Sequence, residues 1–265
     1  MPVIGLLRAC HPGPTAAVTG FAAVWATVAV GLPAGRAALV TAAVLLGQLS
    51  IGWSNDAADA ARDLATGRAD KPVARGEVTA RALWAAASTA AIGCVVASLA
   101  LGLLPGVVHL VGVAAGWAYN LGLKSTIISP VPYAVAFALL PAVATTAADP
   151  PTWPSAGVLV AAAALGCAAH FADTVADADA DAATGVRGLP QRIGPRASMV
   201  VMAGLVLVAA AALVAGPWRP GTAGTALLVA GAGVAGAAVA LRGRWAFPVT
   251  LLAVGLVVVG FLGSG

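Results

Sequence analysis

The sequence predicts an all-α membrane protein, a bundle of nine transmembrane helices. Of its 265 residues, 60% are hydrophobic and 9% are charged, and the mean hydropathy is +0.96, which excludes an ordinary soluble domain. Weakly charged runs of about 17–22 residues recur along the chain, each long enough to cross a hydrocarbon core of roughly 30 Å. Proline and glycine interrupt the sequence between many of these runs.

The proline and glycine residues between the runs set the boundaries of the predicted spans. We place the nine spans at residues 14–32, 36–54, 80–101, 106–123, 131–148, 155–172, 197–216, 221–241 and 245–263. The clearest breaks are Pro33-Ala34-Gly35, Pro105-Gly106, Pro130-Val131-Pro132, Asp149-Pro150-Pro151 and Pro217. Arg8 and His11 interrupt the N-terminal residues, so we do not expect a cleavable signal peptide. No segment outside the spans is long enough to fold separately, and we expect residues 1–265 to form one domain.

The basic residues predict the orientation of the bundle. With nine spans, twelve of the fourteen Lys and Arg residues fall on the side of the N-terminus. These are Arg8, Arg62, Arg68, Lys71, Arg75, Arg81, Lys124, Arg187, Arg192, Arg196, Arg242 and Arg244. Only Arg36 and Arg219 fall on the other side, so the positive-inside rule predicts a cytoplasmic N-terminus in a cell membrane. The same bias accounts for the net charge of +4 without a nucleic-acid partner.

Nine of the ten acidic residues lie in two short segments. The first contains Asp56, Asp59, Asp63, Asp70 and Glu77, and the second contains Asp173, Asp177, Asp179 and Asp181. A carboxylate at the centre of a lipid-facing helix costs roughly 2.5–3.5 kcal/mol, so these acids must face water, counter-charges or cations. The two segments are therefore the predicted functional site.

The two acidic segments repeat. A shift of 118 residues, the separation of Asn55 and Asp173, superimposes Asp59 on Asp177 and Asp63 on Asp181 without a gap. Each copy follows an even-numbered predicted span, the second or the sixth, so the two units have the same orientation in the membrane. We therefore expect both acidic ends to converge at one cytoplasmic cavity.

The spacing of the acids indicates a metal site. Residues at i, i+4 and i+8 form one stripe on an α-helix, which gives the stripe Asn55, Asp59, Asp63 and the stripe Asp173, Asp177, Asp181. On the same projection Asp179 faces away from the second stripe. Two facing stripes of oxygen ligands suit Mg²⁺, which is often shared with substrate phosphates.

Basic residues follow the acids in both copies. Lys71 and Arg75 follow the first stripe, Arg187 and Arg192 follow the second, and Lys124 lies at the end of the fourth span. Positive side chains would repel the ligand of a site that binds only cations. They would instead neutralise the negative charge of a bound diphosphate. Taken singly, each of these bases can also be explained as a positively charged residue of a cytoplasmic loop.

Together these motifs resemble the UbiA superfamily of intramembrane prenyltransferases. Asn55-Asp56-x-x-Asp59-x-x-x-Asp63 matches the first motif of that family, and Asp173-x-x-x-Asp177-x-x-x-Asp181 matches the second. Asp70-Lys71-Pro72-x-x-x-Gly76 resembles the stretch that follows the first motif. Tyr119-Asn120-Leu121-Gly122-Leu123-Lys124 looks like the tyrosine-to-lysine signature after the fourth helix. The resemblance implies Mg²⁺-dependent ionisation of an allylic prenyl diphosphate and capture of the carbocation by an aromatic or lipid acceptor.

The resemblance also implies roles for individual residues. Asn55, Asp59 and Asp63, with Asp56 as a further candidate, would hold one Mg²⁺, and Asp173, Asp177 and Asp181 the other. Asp59, Asp63, Asp173 and Asp177 would be the catalytic acids. The diphosphate would contact Lys71, Lys124 and Arg192, and more weakly Arg75 and Arg187. Tyr119 and Asn120 would line the substrate cavity, whose apolar walls would cradle the prenyl tail away from water.

Two other functions compete with this one. A terpene cyclase of the same superfamily would have the same metal site but would capture the cation with the substrate's own double bonds. A cation transporter with internal repeats is the alternative from another class. Transporters usually hold their coupling ions near the middle of the bilayer on broken helices, whereas these acids lie at helix ends and are followed by bases.

Several aromatic and histidine residues remain open at this stage. Trp53, Trp117 and Tyr119 lie near the predicted mouth, where they would either stabilise an allylic cation or belong to the aromatic belt of the interface. His170 lies one turn before Asp173, and no motif assigns a role to it, to His11 or to His109. Cys10, Cys94 and Cys167 lack metal-ligand spacing, and we expect reduced, buried thiols.

Overall fold

The computed structural model describes residues 2–68, 71–176, 185–215, 221–240 and 246–262. Every regular element in these ranges is a helix. The α-helices are α1 (Pro2–Ala9), α2 (Pro12–Val24), α3 (Ala34–Thr66), α4 (Ala80–Ala100), α5 (Leu103–Asn120), α6 (Val131–Thr146), α7 (Ala156–Ala176), α8 (Leu189–Ile193), α9 (Pro195–Ala215), α10 (Thr222–Ala240) and α11 (Ala246–Leu262). A π-helical turn, Trp25–Ala29, extends α2, and a 3₁₀ turn, Leu123–Ser125, follows α5. The charged residues Asp70, Asp177, Asp179, Asp181, Arg219, Arg242 and Arg244 lie outside the described ranges.

The predicted all-α class is confirmed, and each predicted span coincides with one helix, α2 to α7 or α9 to α11. In the part of the chain that the structure describes, five helices are long and apolar enough to cross a membrane: α3, α4, α5, α7 and α9. Helix α6 is apolar but shorter, and so is the apolar segment Thr222–Ala237 of α10. The chain is thus built as a multi-pass membrane protein, and nine crossings stay a prediction.

Helix α3 is longer than the span predicted from hydropathy. It begins after Pro33 and continues to Thr66, three turns beyond the predicted end at residue 54. Hydropathy marks only the apolar part of a helix, but the motif is rich in alanine, the best helix former, and the helix continues through it. Gly67 ends the helix in the left-handed region, with φ 62°, and its N–H donates to the carbonyl of Asp63. The first acidic motif therefore lies on the last turns of α3.

Packing follows the order of the chain, since each of α2 to α7 contacts the next, and α7, α9, α10 and α11 form the other part of the bundle. The interior is built mainly from alanine and valine, whose small side chains let helices approach closely in the absence of a strong hydrophobic force between them. Helix α5 also packs against α3, and α11 against α7. These contacts place α2, α3, α5, α6, α7 and α11 around a common interior space.

Arg36 connects three helices at the end of the bundle where α3 begins. Its Nη2 donates to the carbonyl of Leu101 at 2.8 Å, and its Nε donates to the carbonyl of Ala147. Leu101 and Ala147 are the C-cap residues of α4 and α6. The guanidinium therefore donates to carbonyl groups that a helix leaves without a hydrogen bond at its C-terminus. The acidic end of α3 lies at the opposite end of the bundle.

His109 belongs to the packing between α4 and α5. It is buried, and its Nδ1 is 2.7 Å from the hydroxyl of Ser98. It does not line the cavity described below. A paired histidine of this kind satisfies the polar atoms of two adjacent helices.

Candidate active site

One cavity of about 680 Å³ extends into the bundle from the end where α3 and α7 finish. It is lined by side chains of α2, α3, α5, α6, α7 and α11 and by the segment after α3. Asn55 and Asp59 of the first motif and Asp173 of the second motif all line it. Helices α3 and α7 thus bring Asn55, Asp59 and Asp173 to the same end of one cavity, as the repeat predicts for these residues.

Asp56 is fixed by two neighbours from elsewhere in the chain. Asp56 is 2% exposed, and its Oδ1 lies 2.9 Å from Lys71 Nζ and 3.0 Å from His11 Nε2. Lys71 comes from the segment after α3, and His11 from the junction of α1 and α2. Gly52 permits this junction to lie on α3, because a Cβ there would be 2.7 Å from the carbonyl oxygen of Cys10. Asp56 is buried beside the cavity and does not line it.

Asp59 lines the cavity and bears an ion pair on each carboxylate oxygen. Oδ1 accepts from Lys124 Nζ, and Oδ2 lies 2.6 Å from Arg62 one turn along the same helix. All three of these side chains line the cavity. The two cations offset the cost of burying the Asp59 carboxylate in the bundle, where a charge without a counter-charge would be expensive.

Asp63 differs from its two neighbours. It is 1% exposed, and neither of its carboxylate oxygens has a hydrogen-bond partner in the described part of the chain. Lys71, Arg62 and Arg68 lie within electrostatic range of it. A buried carboxylate without a hydrogen bond carries a large desolvation cost, and the arrangement leaves both oxygens available as ligands.

The second motif contributes Asp173, an exposed residue near the end of α7, to the described part of the site. Tyr133 of α6 directs its hydroxyl towards Asp173 Oδ2 at 3.4 Å. The predicted partners Asp177 and Asp181 lie outside the described residues. Within the described ranges no three His, Cys, Asp or Glu side chains are grouped to hold a metal ion.

A buried polar cluster supports the side of the cavity that carries Lys124. Ser129 Oγ lies 3.0 Å from His170 Nε2 and accepts the backbone N–H of Leu189 at 3.0 Å. Gly188 lies against the carbonyl of Lys124, where a Cβ would approach to 2.6 Å. The segment that leads into α8 is thereby packed directly on the turn that presents Lys124, and His170 is a packing residue behind the site.

The predicted bases divide into two groups. Lys71 and Lys124 line the cavity, with side chains only 14% and 11% exposed. Arg75, Arg187 and Arg192 are exposed and are not among the residues that line it. Arg75 pairs with Glu77 at 3.0 Å, and Arg192 donates to the carbonyl of Arg187 at 2.8 Å. The structure brings together the two lysines and leaves these three arginines at the surface.

Five polar residues that line the cavity were not predicted as site residues from the sequence. They are His11, Gln48, Arg62, Arg68 and Tyr133. Arg62 lies three residues after Asp59, and helical spacing alone could have placed it beside that acid. His11 comes from a distant segment and has a left-handed backbone, with φ 53° and ψ 67°, at the start of α2. No local pattern in the sequence indicates such a contact.

The predicted cavity residues Tyr119 and Asn120 both line the cavity. Tyr119 packs edge-on against Tyr133 with a centroid distance of 5.1 Å. The amide nitrogen of Asn120 donates to the Ile51 carbonyl at 2.9 Å and to Ser54 Oγ at 2.8 Å, so this side chain also ties α5 to α3. Neither Trp53 nor Trp117 is among the lining residues, and their indoles donate to the Leu6 carbonyl and to Ser50 Oγ.

Beyond the charged groups the cavity walls are apolar. Phe21, Phe137, Leu140, Leu165, Val254 and Val258 line this part. The cavity therefore joins a highly charged mouth to a hydrocarbon interior. Such a space fits an amphiphile with an anionic head and an apolar tail.

The fold is similar to three solved structures of related proteins. A structure of digeranylgeranylglyceryl phosphate synthase in membranes has a TM-score of 0.73 at 14% identity, covering 99% of this chain and 98% of that one. A UbiA homologue from Archaeoglobus fulgidus bound to GPP and Mg²⁺ has a TM-score of 0.70 at 14% identity, covering 97% and 98%. The apo structure of a UbiA homologue from Aeropyrum pernix K1 has a TM-score of 0.74 at 18% identity, covering 94% and 96%. At this identity the likeness establishes the fold.

The sequence itself assigns the family. No curated protein matches this chain at a significant level. The sequence model of the UbiA prenyltransferase family matches residues 16–247, which include both acidic motifs, the two cavity lysines and nearly every helix of the bundle. With the all-helical fold and the family match in agreement, this chain belongs to the UbiA prenyltransferase family.

Proposed function

We propose that this chain transfers the prenyl group of an allylic prenyl diphosphate to an aromatic or lipid acceptor within the membrane, with Mg²⁺. The observation that carries the proposal is the single cavity in which acids of both motifs and two lysines surround the mouth of an apolar interior. In this reaction the C1–O bond of the donor breaks and its electron pair leaves with the diphosphate. The acceptor forms the new bond to C1 and loses a proton.

The donor set of the first motif fits Mg²⁺. Asn55 and Asp59 line the cavity on α3, and Asp63, one turn further, does not line it but has two buried oxygens without a hydrogen-bond partner in the described residues. Hard oxygen ligands of this type are those that Mg²⁺ prefers. We assign Asn55, Asp59 and Asp63 to one ion, with Asp56 as a neighbouring acid, and Asp173, Asp177 and Asp181 to a second. Bound Mg²⁺ would supply Lewis-acid neutralisation of the diphosphate leaving group.

Lys71 and Lys124 are the residues that we assign to the diphosphate. Their ammonium groups already lie at the cavity wall, held there by Asp56 and Asp59. Arg62 and Arg68, which also line the cavity, add forked donors suited to phosphoryl oxygens. Arg75, Arg187 and Arg192 are exposed, and we propose for them no more than a supporting electrostatic role.

The interior of the cavity suits the rest of the donor. Its apolar side chains bind a prenyl tail and exclude the water that would quench an allylic carbocation. Tyr119 and Tyr133 lie between the acids and this apolar part, where their ring faces can stabilise a cation. The related structure with GPP and Mg²⁺ supports a donor of this class for the same fold.

We further propose that the N-terminus and the cavity mouth face the cytoplasm, in a cell membrane. Twelve of the fourteen basic residues belong to this side in the nine-span arrangement. Arg36, one of the other two, lies at the opposite end of the bundle, where it donates hydrogen bonds to the C-terminal carbonyls of α4 and α6. Cysteine accessibility at Gly67 and at Trp153, which lie at opposite ends of the bundle, tests this orientation in intact cells.

The reaction is tested with the purified protein in lipid vesicles. Radiolabelled allylic diphosphates are supplied with Mg²⁺, with and without a panel of hydroxybenzoate, naphthoate and glycerol phosphate acceptors, and the products are separated. A prenylated acceptor supports the transferase. Release of a hydrocarbon or alcohol without any acceptor would instead identify a cyclase, and no cleavage of any donor would overturn the proposal.

The matched variants for this assay are Asp59→Ala and Asp149→Ala. Asp59 lines the cavity, whereas Asp149 is an exposed acid between α6 and α7. The two changes remove the same chemical group from one chain. Loss of diphosphate release in Asp59→Ala alone assigns the reaction to the cavity, and equal loss in both would exclude that assignment.

A further inference from the structure

Helix α1 turns an apolar face away from the bundle. Its side chains Val3, Ile4 and Leu7 are 66%, 57% and 61% exposed, and none of them lines the cavity. At about 100° per residue the three fall within an arc of about 100°, so they form one continuous face. On the opposite side Gly5 and Ala9 are buried. An exposed apolar face of this kind marks a surface that binds another apolar phase or molecule.

The inner face of α1 is fixed to three parts of the bundle. The Leu6 carbonyl accepts the indole N–H of Trp53 at 2.8 Å, which joins α1 to α3. Gly5 lies against the segment after α3, where a Cβ would approach the carbonyl oxygen of Glu77 to 2.8 Å. Ala9 belongs to a buried cluster with side chains of α3, of that segment and of α4. These attachments determine which face of α1 points outward.

Two tryptophans indicate the level of α1 relative to the membrane. Trp53 lies at the end of the apolar part of α3, and Trp84 lies in the first turns of α4. Both pack against the buried cluster that contains Ala9. Tryptophan is enriched at the depth where the hydrocarbon core meets the headgroups. Helix α1 has eight residues, about 12 Å at about 1.5 Å per residue, and cannot cross a core of roughly 30 Å. A helix of this length at this depth lies along the membrane surface.

Basic side chains border the exposed face. The Arg8 side chain, next to Leu7, is 54% exposed, and that of Arg75 is 39% exposed. Both guanidinium groups pair with the same oxygen of Glu77, at 2.9 and 3.0 Å. Two positive charges and one negative charge leave this group with a net charge of +1. Positive charge beside an apolar helix face is complementary to anionic phospholipid headgroups.

The attachments of α1 lead to the mouth of the cavity. The segment that Gly5 touches also presents Lys71, whose Nζ lies 2.9 Å from Asp56 Oδ1. His11, two residues after α1, lies 3.0 Å from the same oxygen. Lys71 and His11 both line the cavity. A displacement of α1 would therefore act on a lysine that we assign to the diphosphate.

We propose that α1 is an interfacial helix that binds the surface of an anionic bilayer. Val3, Ile4 and Leu7 insert among the headgroups and upper acyl chains, and Arg8 and Arg75 contact the headgroups. The lipid completes the packing of α1 and so holds the segment that carries Lys71. The lipid-binding face is separate from the cavity, and only its effect on donor binding rests on the proposed function.

The first test measures where α1 lies. Val3→Cys carries an environment-sensitive fluorophore in a full-length protein whose three native cysteines are replaced by alanine, reconstituted in phosphatidylcholine with an equal amount of phosphatidylglycerol. Lipids with a nitroxide high on the acyl chain should quench the label strongly, and iodide on both sides of the membrane should quench it weakly. Ile4→Ser with Leu7→Ser should reverse this order, whereas the matched pair Ile4→Leu with Leu7→Ile should keep it.

The second test measures charge and the effect on the site. Arg8→Gln should remove the difference in lipid quenching between these vesicles and vesicles of phosphatidylcholine alone, and Arg192→Gln, an exposed base elsewhere, should retain it. The serine pair should raise the KM for the prenyl diphosphate by roughly fivefold or more, the lower end of usual couplings between two sites, with a smaller change in kcat. The leucine and isoleucine pair should leave KM unchanged.

The outcomes separate this proposal from the proposed function, because the label reports position without turnover. Strong iodide quenching of the Val3→Cys label in the parent protein would show that α1 faces water. Protection from both quenchers would show that protein, such as a second copy of the chain, covers the face. Either result overturns the interfacial helix. An unchanged KM in the serine pair would overturn the link to Lys71, and a correctly placed label in a protein that cleaves no donor would overturn the proposed function alone.

Discussion

Lys124 and Asp59 form an ion pair that joins the turn after α5 to α3, and each side chain is 11% exposed. The pair lies on the cavity wall, so the lysine assigned to the diphosphate and the aspartate assigned to the metal are neighbours before any substrate binds. Each charge offsets the cost of burying the other. Substitution of either residue therefore affects both its own ligand and its partner.

For Lys124 we expect Lys124→Gln to raise the KM for the prenyl diphosphate by roughly tenfold or more, since one cation of the diphosphate site is lost. Arg192→Gln is the control, because Arg192 is exposed and does not line the cavity. It should change KM by less than about twofold, as expected for a surface charge. Both KM values are measured from donor-saturation curves. If Arg192→Gln raised KM by more than about twofold, Arg192 would have to be counted among the diphosphate-binding residues.

For Asp59 we expect Asp59→Ala to lower kcat/KM by roughly a hundredfold or more, because it removes a proposed metal ligand together with its ion pairs to Arg62 and Lys124. Asp59→Asn keeps the shape and should lose activity to a similar extent, since an amide cannot neutralise Lys124. Diphosphate release measures both, beside the Asp149→Ala control. Near-wild-type turnover of Asp59→Asn would show that the carboxylate charge has no part in the reaction.

Much of this site could be predicted from spacing alone. The i, i+4 pattern placed Asn55, Asp59 and Asp63 on one helix, and the repeat led us to expect Asp173 in the same cavity as Asp59, where it lies. Hydropathy could not give the true end of α3, because an alanine-rich helix continues after the apolar residues stop.

Contacts that depend on tertiary packing could not be predicted. His11 reaches Asp56 only because α1 and α2 meet over Gly52, and no periodicity in the sequence encodes that approach. The sequence assigned Lys71, Lys124 and Arg192 to the diphosphate, and Arg75 and Arg187 more weakly, but of these five bases only Lys71 and Lys124 line the cavity.

Metal dependence is a further prediction. We expect diphosphate release to stop in EDTA, to return with Mg²⁺ and to remain low with Ca²⁺. Mg²⁺ takes compact octahedral coordination at about 2.0–2.1 Å, whereas Ca²⁺ prefers longer and more numerous oxygen contacts. The measurement is a metal titration of the chelated protein with one donor. Full turnover in EDTA would remove the metal from the reaction.

The orphaned carboxylate of Asp63 gives a sharper metal test. Asp63→Asn keeps the side-chain volume but removes the charge, and we expect the Mg²⁺ concentration for half-maximal activity to rise by roughly 10–100-fold. Because the buried carboxylate accepts no hydrogen bond in the described residues, the same change should not lower the thermal unfolding midpoint without Mg²⁺. The stabilisation that Mg²⁺ gives to wild type should be reduced in the variant, which provides a readout independent of turnover. An unchanged Mg²⁺ requirement would show that Asp63 is not a ligand.

Asn120 should prove to be a stabilising residue more than a substrate contact. Its amide nitrogen is committed to two acceptors on α3, and the residue is 4% exposed. Asn120→Ala leaves the Ile51 carbonyl and the Ser54 hydroxyl without this donor, at a cost of about 1–3 kcal/mol. We therefore expect a fall of several degrees in the apparent unfolding midpoint in detergent, with a KM for the donor within about threefold of wild type. Gln48→Ala is the control on the same cavity wall, since no hydrogen bond of its amide is found in the described residues, and its midpoint should not change. If Asn120→Ala instead raised KM strongly at an unchanged midpoint, its amide would belong to the substrate site and the α3–α5 contact would be secondary.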